Sequence, residues 1–488
     1  MSEYNAKKIK GTSGEWDIVI GLEVHAQVTT NLKLFSNGAA DFRKEANQKL
    51  DLLDIGLPGT LPVINSMAVD QAIKTGLALN ATINKKSIFD RKNYFYPDLP
   101  LGYQISQFKD PIVSEGYINI DISDDKTKTI KIERLHLEQD AGKSLHDQSP
   151  DKTFIDYNRA GVALMEIVSY PDLSDWVEAG DYLTKLRSIL RFANTCDGNM
   201  EEGSLRCDAN VSVRKPNEPL GIRCEIKNLN SIKNLMKAIE YEANRQVKSL
   251  ESGNKIVQET RLFDTNSGIT KTMRSKEEAH DYRYFPDPDL LPLELTDKRI
   301  EDIRKTLPEL PDDLKMRLID QYGLGAYDAR VISSDQDTAE YFETLSNGRD
   351  AKQAANWIIT NLFGKLNDIG KSIKESPIDA KELGKLLDLI NKQIISNKIA
   401  KEVFEEMFIS GETAENIIEK KGLKQISNTD EIEAIVDKII SSNEDQKKQY
   451  QSGNAKVLGW FVGQVMKETK GQANPSVVNK VIIDKLKK

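Results

Sequence analysis

Apolar and polar positions alternate in four separate segments of the first 295 residues. Successive side chains of a β-strand point to opposite faces of a sheet, so each segment predicts a strand with one apolar and one polar face. The polar faces are Gly21, Glu23, His25 and Gln27 in residues 17–28; Arg134, His136, Glu138 and Asp140 in residues 130–140; Arg206, Asp208, Asn210, Ser212 and Arg214 in residues 205–214; and Arg223, Glu225 and Lys227 in residues 222–227. Ile222, Cys224 and Ile226 form the apolar face of the last strand.

After residue 295 the apolar positions change to helical spacing. Ser376 followed by Pro377 predicts a helix start, and Leu383, Leu386, Leu387 and Ile390 then lie on one helical face. Another apolar stripe runs along one face of residues 457–466. A helix that includes Phe404 and Met407 is predicted to end near Ser410 and Gly411. Such stripes are typical of helices that pack against a core.

These patterns predict an α+β fold in several domains, because a chain of 488 residues is too long for one ordinary core. We expect an antiparallel-sheet domain with flanking helices in residues 1–295. An all-α helical domain in residues 296–408 and a small all-α tail domain in residues 409–488 are expected to follow.

Composition restricts the class of protein. Hydrophobic residues make up 39% and charged residues 30%, as in ordinary globular proteins. No apolar run approaches the roughly 18 residues of a membrane span, so no membrane partner is expected. The three cysteines lack CxxC spacing, which argues against a disulfide framework or a zinc ribbon and is consistent with the reducing cytoplasm. Two of them, Cys207 and Cys224, are predicted to face the core and are discounted as nucleophiles.

The net charge of −8 does not indicate a nucleic-acid partner for the whole chain. The last 38 residues, however, hold seven lysines and two acidic residues. An acidic protein with a basic tail can bind phosphate locally. From charge alone, a solvated, lysine-rich helix end explains the tail equally well.

The polar strand faces allow two interpretations. A half-solvated antiparallel sheet also has one polar face on each strand. Here, however, the recurring residues are Glu, His, Asp, Asn and Arg, which bind Mg²⁺ and phosphate or carboxylate oxygens. A P-loop is excluded at residues 137–144, because Leu137 occupies the position of the first glycine and Glu138 and Asp140 would repel phosphate.

Nine motifs, in order, resemble the family of B subunits of the glutamyl-tRNA(Gln)/aspartyl-tRNA(Asn) amidotransferase. They are IGLEVHAQ (20–27), LPGTLPVIN (57–65), FDRKNYFYPDLPLGYQISQ (89–107), LEQDAGKS (137–144), DYNRAGVALMEIVS (156–169), LRCDANVSVR (205–214), EIKNLNSIKN (225–234), TRLFD (260–264) and MRSKEEAHDYRYFPDPDL (273–290). The resemblance covers the first domain closely and the helical remainder more loosely.

The resemblance implies a fold and an activity. It implies that residues 1–295 form a cradle domain holding a kinase and transamidase site, and that the tail domain binds tRNA. The enzyme would be a glutamine-hydrolysing carbon–nitrogen ligase that uses ATP and Mg²⁺ to phosphorylate and then amidate the side chain of Glu-tRNA(Gln), Asp-tRNA(Asn) or both. A glutaminase of the amidase type, the A subunit of the complex, would supply ammonia. A small C subunit would complete a heterotrimer.

The resemblance also implies site residues. The implied metal ligands are Glu23, His25, Glu138, Asp208 and Glu225, all of which lie on the predicted polar faces. For catalysis we expect Glu138, Lys143 and Arg159, and for ATP or substrate binding Arg206, Arg274 and Arg283. A structural ion pair is an equally open role for any one of these basic residues. His136 is expected either to orient a ligand or only to pair with its neighbours.

One departure from the family pattern concerns zinc. Many relatives hold zinc with paired cysteines early in this domain, whereas residues 33–59 contain none, so no zinc is expected. Two other functions are open: a tRNA-holding scaffold without catalysis, and a free-standing ATP-dependent ligase for small molecules. The retained acidic positions argue against the scaffold, and the basic tail argues against the small-molecule ligase.

Overall fold

The computed structural model describes residues 7–41, 45–123, 126–145, 148–149, 151–275, 281–423, 429–454, 456–469, 473 and 475–486. The chain divides into two compact units, residues 1–314 and 315–488. The predicted boundaries at residues 295 and 408 therefore stay predictions.

The described part of the first unit contains seventeen strands. They are β1 Ile9–Gly11, β2 Gly14–Gln27, β3 Thr82–Ile83, β4 Lys86–Ser87, β5 Asp90–Asn93, β6 Tyr103–Ser106, β7 Val113–Ser123, β8 Lys126–Gln139, β9 Lys143–Leu145, β10 Phe154–Asp156, β11 Ala163–Ser169, β12 Leu205–Arg214, β13 Cys224–Leu229, β14 Glu259–Asp264, β15 Ile269–Ser275, β16 Phe285–Pro286 and β17 Leu293–Glu294.

Helices join these strands and make up all of the regular structure described in the second unit. They are α1 Ser66–Ala78, α2 Trp176–Phe192, α3 Ile232–Glu251, α4 Asp297–Arg304, α5 Pro311–Tyr322, α6 Ala326–Ile332, α7 Gln336–Ser346, α8 Ala351–Asn356, α9 Phe363–Asp368, α10 Ala380–Asn391, α11 Asn397–Ser410, α12 Ala414–Lys421, α13 Thr429–Ser441, α14 Glu444–Gln451, α15 Lys456–Glu468 and α16 Pro475–Leu486. A π-helical segment, Trp357–Leu362, and a 3₁₀ turn, Ile373–Glu375, complete the set.

A ten-stranded sheet organises the first unit. Its order is β15-β14-β13-β12-β2-β11-β8-β7-β3, with β1 paired to β2. The predicted antiparallel pairing is confirmed except between β13 and β14, which run parallel. Parallel neighbours require a crossover connection, and α3 supplies it. Smaller pairings join β9 to β10, β4 to β17, and β5 to both β6 and β16.

The predicted separation of faces is confirmed in the central strands. Ile18, Ile20, Leu22, Val24 and Ala26 of β2 are buried in one core with residues of α2 and α3. Cys207 and Cys224 are buried too, and all three cysteines are free thiols. Burial raises the pKa of the Cys224 thiol to about 12, which keeps it protonated and unreactive.

Two local predictions were wrong. Strand β13 begins at Cys224, and Ile222 lies outside it with 51% of its surface exposed. Asp379 rather than Ser376 caps α10, because its carboxylate accepts a hydrogen bond from the backbone N–H of Glu382. The alternation and cap signals identified the elements but missed their first residues, which is the usual weakness of such signals.

Other helix predictions are confirmed. Gly411 ends α11 in a left-handed conformation, with φ of 70°. Val457, Phe461 and Val465 of α15 are buried in a small core that they share with α13 and α16. None of the described helices is long and apolar enough to cross a membrane.

A buried carboxylate joins α3 to the edge of the sheet. Glu242 accepts hydrogen bonds from Arg245, at 2.6 Å, from Gln246, at 2.9 Å, and from Thr270, at 2.8 Å. The Nε atom of Arg261 on β14 lies 3.2 Å from the same carboxylate. Burial works against ionisation, but these donors hold the pKa of Glu242 below its usual range.

Replacing Glu242 with glutamine is therefore expected to lower the free energy of unfolding at pH 7 by about 3 kcal/mol, since the buried Arg261 and the half-buried Arg245 lose one of their two carboxylate partners and keep only Glu259. Because the pKa of Glu242 is lowered on folding, its contribution is lost as the pH falls below about 4.5, so the difference from wild type should shrink in acid. Urea unfolding of both proteins at pH 7 and below pH 4.5 measures the difference between their free energies of unfolding. Glu240→Gln, at an exposed position of the same helix, is the control. An equal effect of both substitutions would contradict the assignment.

Candidate active site

Sheet register places four ionisable side chains in one row across four strands. Arg206 on β12 lies opposite His25 on β2, His25 lies opposite Glu166 on β11, and Glu166 lies opposite His136 on β8. Directly opposed residues have Cβ atoms about 5 Å apart, so their side chains meet on the polar face. A single carboxylate, Glu166, thus lies between two imidazoles.

The distances describe a compact cluster. The Nε2 atom of His25 lies 3.3 Å from Glu166, 3.7 Å from Glu138 and 3.8 Å from Glu23. The Nε2 atom of His136 lies 3.4 Å from Glu166 and 3.7 Å from Glu138. Asp208 lies opposite Glu23 in the register of β12 and β2. We call these six residues, Glu23, His25, His136, Glu138, Glu166 and Asp208, the carboxylate–histidine cluster.

Charge and burial shift the protonation of this cluster. Burial alone lowers the pKa of both histidines, but the adjacent carboxylates, Glu166 above all, outweigh it and raise each pKa to about 9. Burial and the charge of Glu166 raise the pKa of Glu23 to about 7. Both imidazoles are therefore positive near neutral pH and offset part of the negative charge.

Two lysines neutralise more of the charge. Lys227 lies 2.6 Å from Asp208 and 2.9 Å from Glu225. Burial alone lowers the pKa of Lys92, but Glu138 and neighbouring groups outweigh it and raise the pKa above its usual range. Both amines therefore remain charged beside the cluster.

A cavity of about 750 Å³ opens beside the cluster, on the same face of the sheet. Its polar lining includes Glu23, Glu225 and Thr260, and Arg134 and Arg223 contribute positive charge. The volume lies within the range typical of ligand sites. We call it the central cavity.

Comparison with known proteins identifies the family. Residues 18–301 match the family model described as the GatB/GatE catalytic domain, and residues 340–486 match the model described as the GatB domain. The chain belongs to the family of aspartyl/glutamyl-tRNA(Asn/Gln) amidotransferase B subunits. A relative of that name from Methylorubrum populi is 57% identical over 480 residues, which are 98% of each chain. One from Rhodospirillum rubrum is 56% identical over 483 residues, which are 98% of this chain and 99% of the relative. The resemblance inferred from nine motifs is thereby confirmed.

The family's predicted metal ligands separate in the structure. Ligand atoms of Glu23, His25 and Asp208 all lie within 4.8 Å of one another, and so do those of His25, Glu138 and Glu166. His25 is common to both groups. Glu225 belongs to neither group; its carboxylate lies 2.9 Å from Lys227 and accepts a hydrogen bond from Thr260 at 2.8 Å.

The predicted basic residues lie in varied surroundings. Arg206 donates to Asp140 at 2.9 Å, and Arg159 donates to the carbonyl oxygens of Ala141 and Gly142. Burial works against ionisation of Asp140, but Arg206 and Arg159 hold its pKa below the usual range. Lys143 and Arg283 are exposed. Arg274 is on β15, opposite Thr260 on β14, and its side chain is outside the described part of the structure.

Sequence analysis missed Glu166, Lys92 and Lys227. Strand β11, with the sequence ALMEIVS, is buried almost throughout, so no alternation distinguishes a polar face. Its only charged residue is Glu166, and a lone carboxylate within an apolar strand is the signal that would have identified it. Lys227 was placed on the polar face, but its pairing with Asp208 depends on a register that the pattern does not show.

The donor set of the cluster suits a divalent cation. Most of its ligand atoms are carboxylate oxygens, and hard cations such as Mg²⁺ bind oxygen ligands. The ligand atoms of Glu23, His25 and Asp208, and those of His25, Glu138 and Glu166, lie within 4.8 Å of one another, close enough for each group to share one ion. Glu23, His25, Glu138, Glu166 and Asp208 are the residues that would hold the cation.

Protons and a divalent cation should compete for this cluster. A ligating imidazole must be neutral, and both histidines are protonated below a pKa of about 9. Mg²⁺ affinity should therefore rise from pH 6.5 to pH 9, and binding near pH 7.5 should release protons. Titration calorimetry in two buffers with different ionisation enthalpies measures both effects. Equal affinity at pH 6.5 and pH 9, without proton release, would show that the histidines lie outside the cation site.

Proposed function

We propose that this chain activates and amidates the side-chain carboxylate of glutamate or aspartate esterified to tRNA, using ATP and Mg²⁺. The side-chain oxygen takes the terminal phosphoryl group of ATP, giving an acyl phosphate and ADP. Ammonia then attacks the acyl carbon, and phosphate and a proton leave as the amide forms. The products are Gln-tRNA(Gln), Asn-tRNA(Asn) or both.

The observation that carries this proposal is the carboxylate–histidine cluster beside the central cavity. Further support comes from the names of full-length relatives more than 55% identical to the chain, which are amidotransferase B subunits. Phosphoryl transfer needs charge neutralisation and in-line positioning more than covalent help from protein. A buried carboxylate–histidine face next to a ligand-sized cavity is suited to that requirement.

The chain's own residues would divide the work. Glu138, Glu23, His25, Asp208 and Glu166 would hold Mg²⁺, which offsets phosphate charge when bound. Arg134 and Arg223 line the central cavity and are suited to contacting phosphate or carboxylate oxygens. Arg206 and Arg159 act through Asp140 and hold the loop at residues 140–142 in place. Lys143, Arg274 and Arg283 remain candidates for substrate contacts.

The proposal includes partners. Ammonia would come from a glutaminase of the amidase type, the A subunit of the complex, and a small C subunit would complete a heterotrimer in the cytoplasm. The three cysteines are buried in the core, and burial raises their pKa values, so none is suited to hydrolysing glutamine.

ADP release from ATP, dependent on Glu-tRNA(Gln), tests the activation step in the reconstituted complex. Glu138→Gln should lower the rate by at least about 100-fold, because the variant loses one charge that would hold the cation against phosphate. Glu15→Gln, at an exposed position on β2, is the control and should retain the wild-type rate. Full activity of Glu138→Gln would favour the non-catalytic scaffold.

The tail domain should contribute phosphate contacts. Lys456, Lys467 and Lys480 are exposed, and Lys470 lies outside the described residues. Replacing all four by glutamine should weaken tRNA binding and reduce the slope of log K against log salt concentration by about 3.6, since each of the four phosphate contacts contributes close to 0.9. Replacing Lys371, Lys374, Lys392 and Lys398 is the matched control. An unchanged salt slope in the tail variant would exclude these contacts, and indifference to tRNA altogether would favour a small-molecule ligase.

A further inference from the structure

A second cavity, of about 630 Å³, lies on the first unit, and apart from Arg134 its lining residues have no role in the proposed chemistry. Four basic residues line it, together with the two acidic residues Asp110 and Glu133. We call this cavity the basic groove and define it by Lys85, Lys86, Lys109, Arg134 and Phe108.

Two of the four positive charges in the basic groove lack an ion-pair partner among the described residues. Lys85 lies 2.9 Å from Asp297, and Arg134 lies 3.0 Å from Glu133. Lys86 and Lys109 are exposed, and neither forms an ion pair within 4.0 Å in the part of the chain that the structure describes. These two ammonium groups are therefore available to an anionic ligand.

The groove also presents an aromatic surface. Phe108 is 49% exposed although one face of its ring stacks on Tyr284, with centroids 4.2 Å apart and planes inclined by 8°. The Tyr284 ring in turn meets the edge of Tyr282, at 6.1 Å. Tyr282 lines the central cavity. A run of aromatic rings thus leads from the basic groove to the candidate active site.

The two cavities adjoin. Glu133 and Arg134 line both of them. The second guanidinium nitrogen of Arg134 lies 3.8 Å from Glu166, in the carboxylate–histidine cluster. A ligand bound along the groove therefore has its end close to the cluster.

We propose that the basic groove binds the single-stranded 3′ end of the RNA substrate and directs its aminoacyl ester into the central cavity. This inference rests on the proposed function. Single-stranded nucleic acid is held where cationic side chains follow the backbone and exposed aromatic rings stack on bases. Lys86 and Lys109 would contact phosphates, and the free face of Phe108 would stack on a base. Because an aminoacyl group is esterified to the 3′-terminal nucleotide, the groove must lead to the reacting centre, and it does.

Equilibrium binding of tRNA to the full chain in its reconstituted complex tests the stacking contact. Phe108→Leu should weaken binding of intact tRNA about 10-fold, within the range found when a base loses its aromatic partner, whereas Phe108→Trp should bind as wild type does. Neither change should alter binding of the same tRNA lacking its unpaired 3′ nucleotides. Phe154→Leu is the matched control, since Phe154 is 45% exposed on β10 and does not line either cavity. Melting temperatures of all variants report whether they fold.

The lysines are tested by salt dependence. Lys86→Gln with Lys109→Gln should reduce the slope of log K against log salt concentration by about 1.4, since a phosphate of a single strand contributes close to 0.7. Lys233→Gln with Lys237→Gln, exposed on α3, is the control and should leave the slope unchanged.

Specific outcomes would overturn this inference. Equal losses with intact and shortened tRNA would place the contact elsewhere on the RNA. A Phe108→Leu variant with a raised KM for ATP and unchanged tRNA affinity would make the groove a nucleotide site. Either result leaves the proposed function standing, because ADP release dependent on Glu-tRNA(Gln), and its loss in Glu138→Gln, test that function separately.

Discussion

The structure depends on the accumulation of negative charge on one face of a buried sheet. Ligand atoms of Glu23 and Asp208 lie within 4.8 Å of each other, as do those of Glu138 and Glu166, and His25 is common to both pairs. Glu138 and Glu166 are almost inaccessible to water. Carboxylates removed from water are costly unless cations accompany them. Positive groups offset this charge: two imidazoles lie within the cluster, Lys92 and Lys227 lie beside it, and a guanidinium nitrogen of Arg134 lies 3.8 Å from Glu166. The pKa values of the histidines, raised to about 9 although burial lowers them, express how strongly the carboxylates require positive charge.

The central sheet can meet this constraint because its register brings side chains from distant parts of the sequence into rows. Arg206, His25, Glu166 and His136 come from four strands that are neighbours in the sheet and far apart along the chain. A slip of one residue in any of these strands would turn its charged side chains toward the core. The apolar face, packed against α2 and α3, therefore fixes the geometry of the polar face. The alternation of apolar and polar residues along these strands therefore both stabilises the fold, through the buried apolar face, and positions the side chains of the site.

Alternation explains both what the sequence could reveal about this site and what it could not. It placed Glu23, His25, His136, Glu138 and Asp208 on polar faces because each lies on a strand whose opposite face is apolar, and the family resemblance supplied the expected metal ligands among them. It could not identify Glu166, since β11 is covered on both sides and its apolar residues hide the period. Pairing across strands is not encoded in any one segment. The contacts of Glu225 with Lys227 and Thr260 could therefore be found only in the fold. The same is true of the hydrogen bonds that Arg159 donates to two carbonyl oxygens. The crossover through α3 was missed for the same reason, because strand direction is a property of the assembled sheet.

The protonated histidines give the cluster a further property. Imidazolium groups and a divalent cation satisfy the same carboxylates, so one can replace the other with little change in net charge. The protonated imidazoles thus supply positive charge to the carboxylates on their own, in contrast to small domains whose metal supplies the folding energy. Under the proposed function, phosphate-bearing ligands would bring further negative charge to the central cavity, and this charge would favour exchange of the imidazolium protons for a divalent cation.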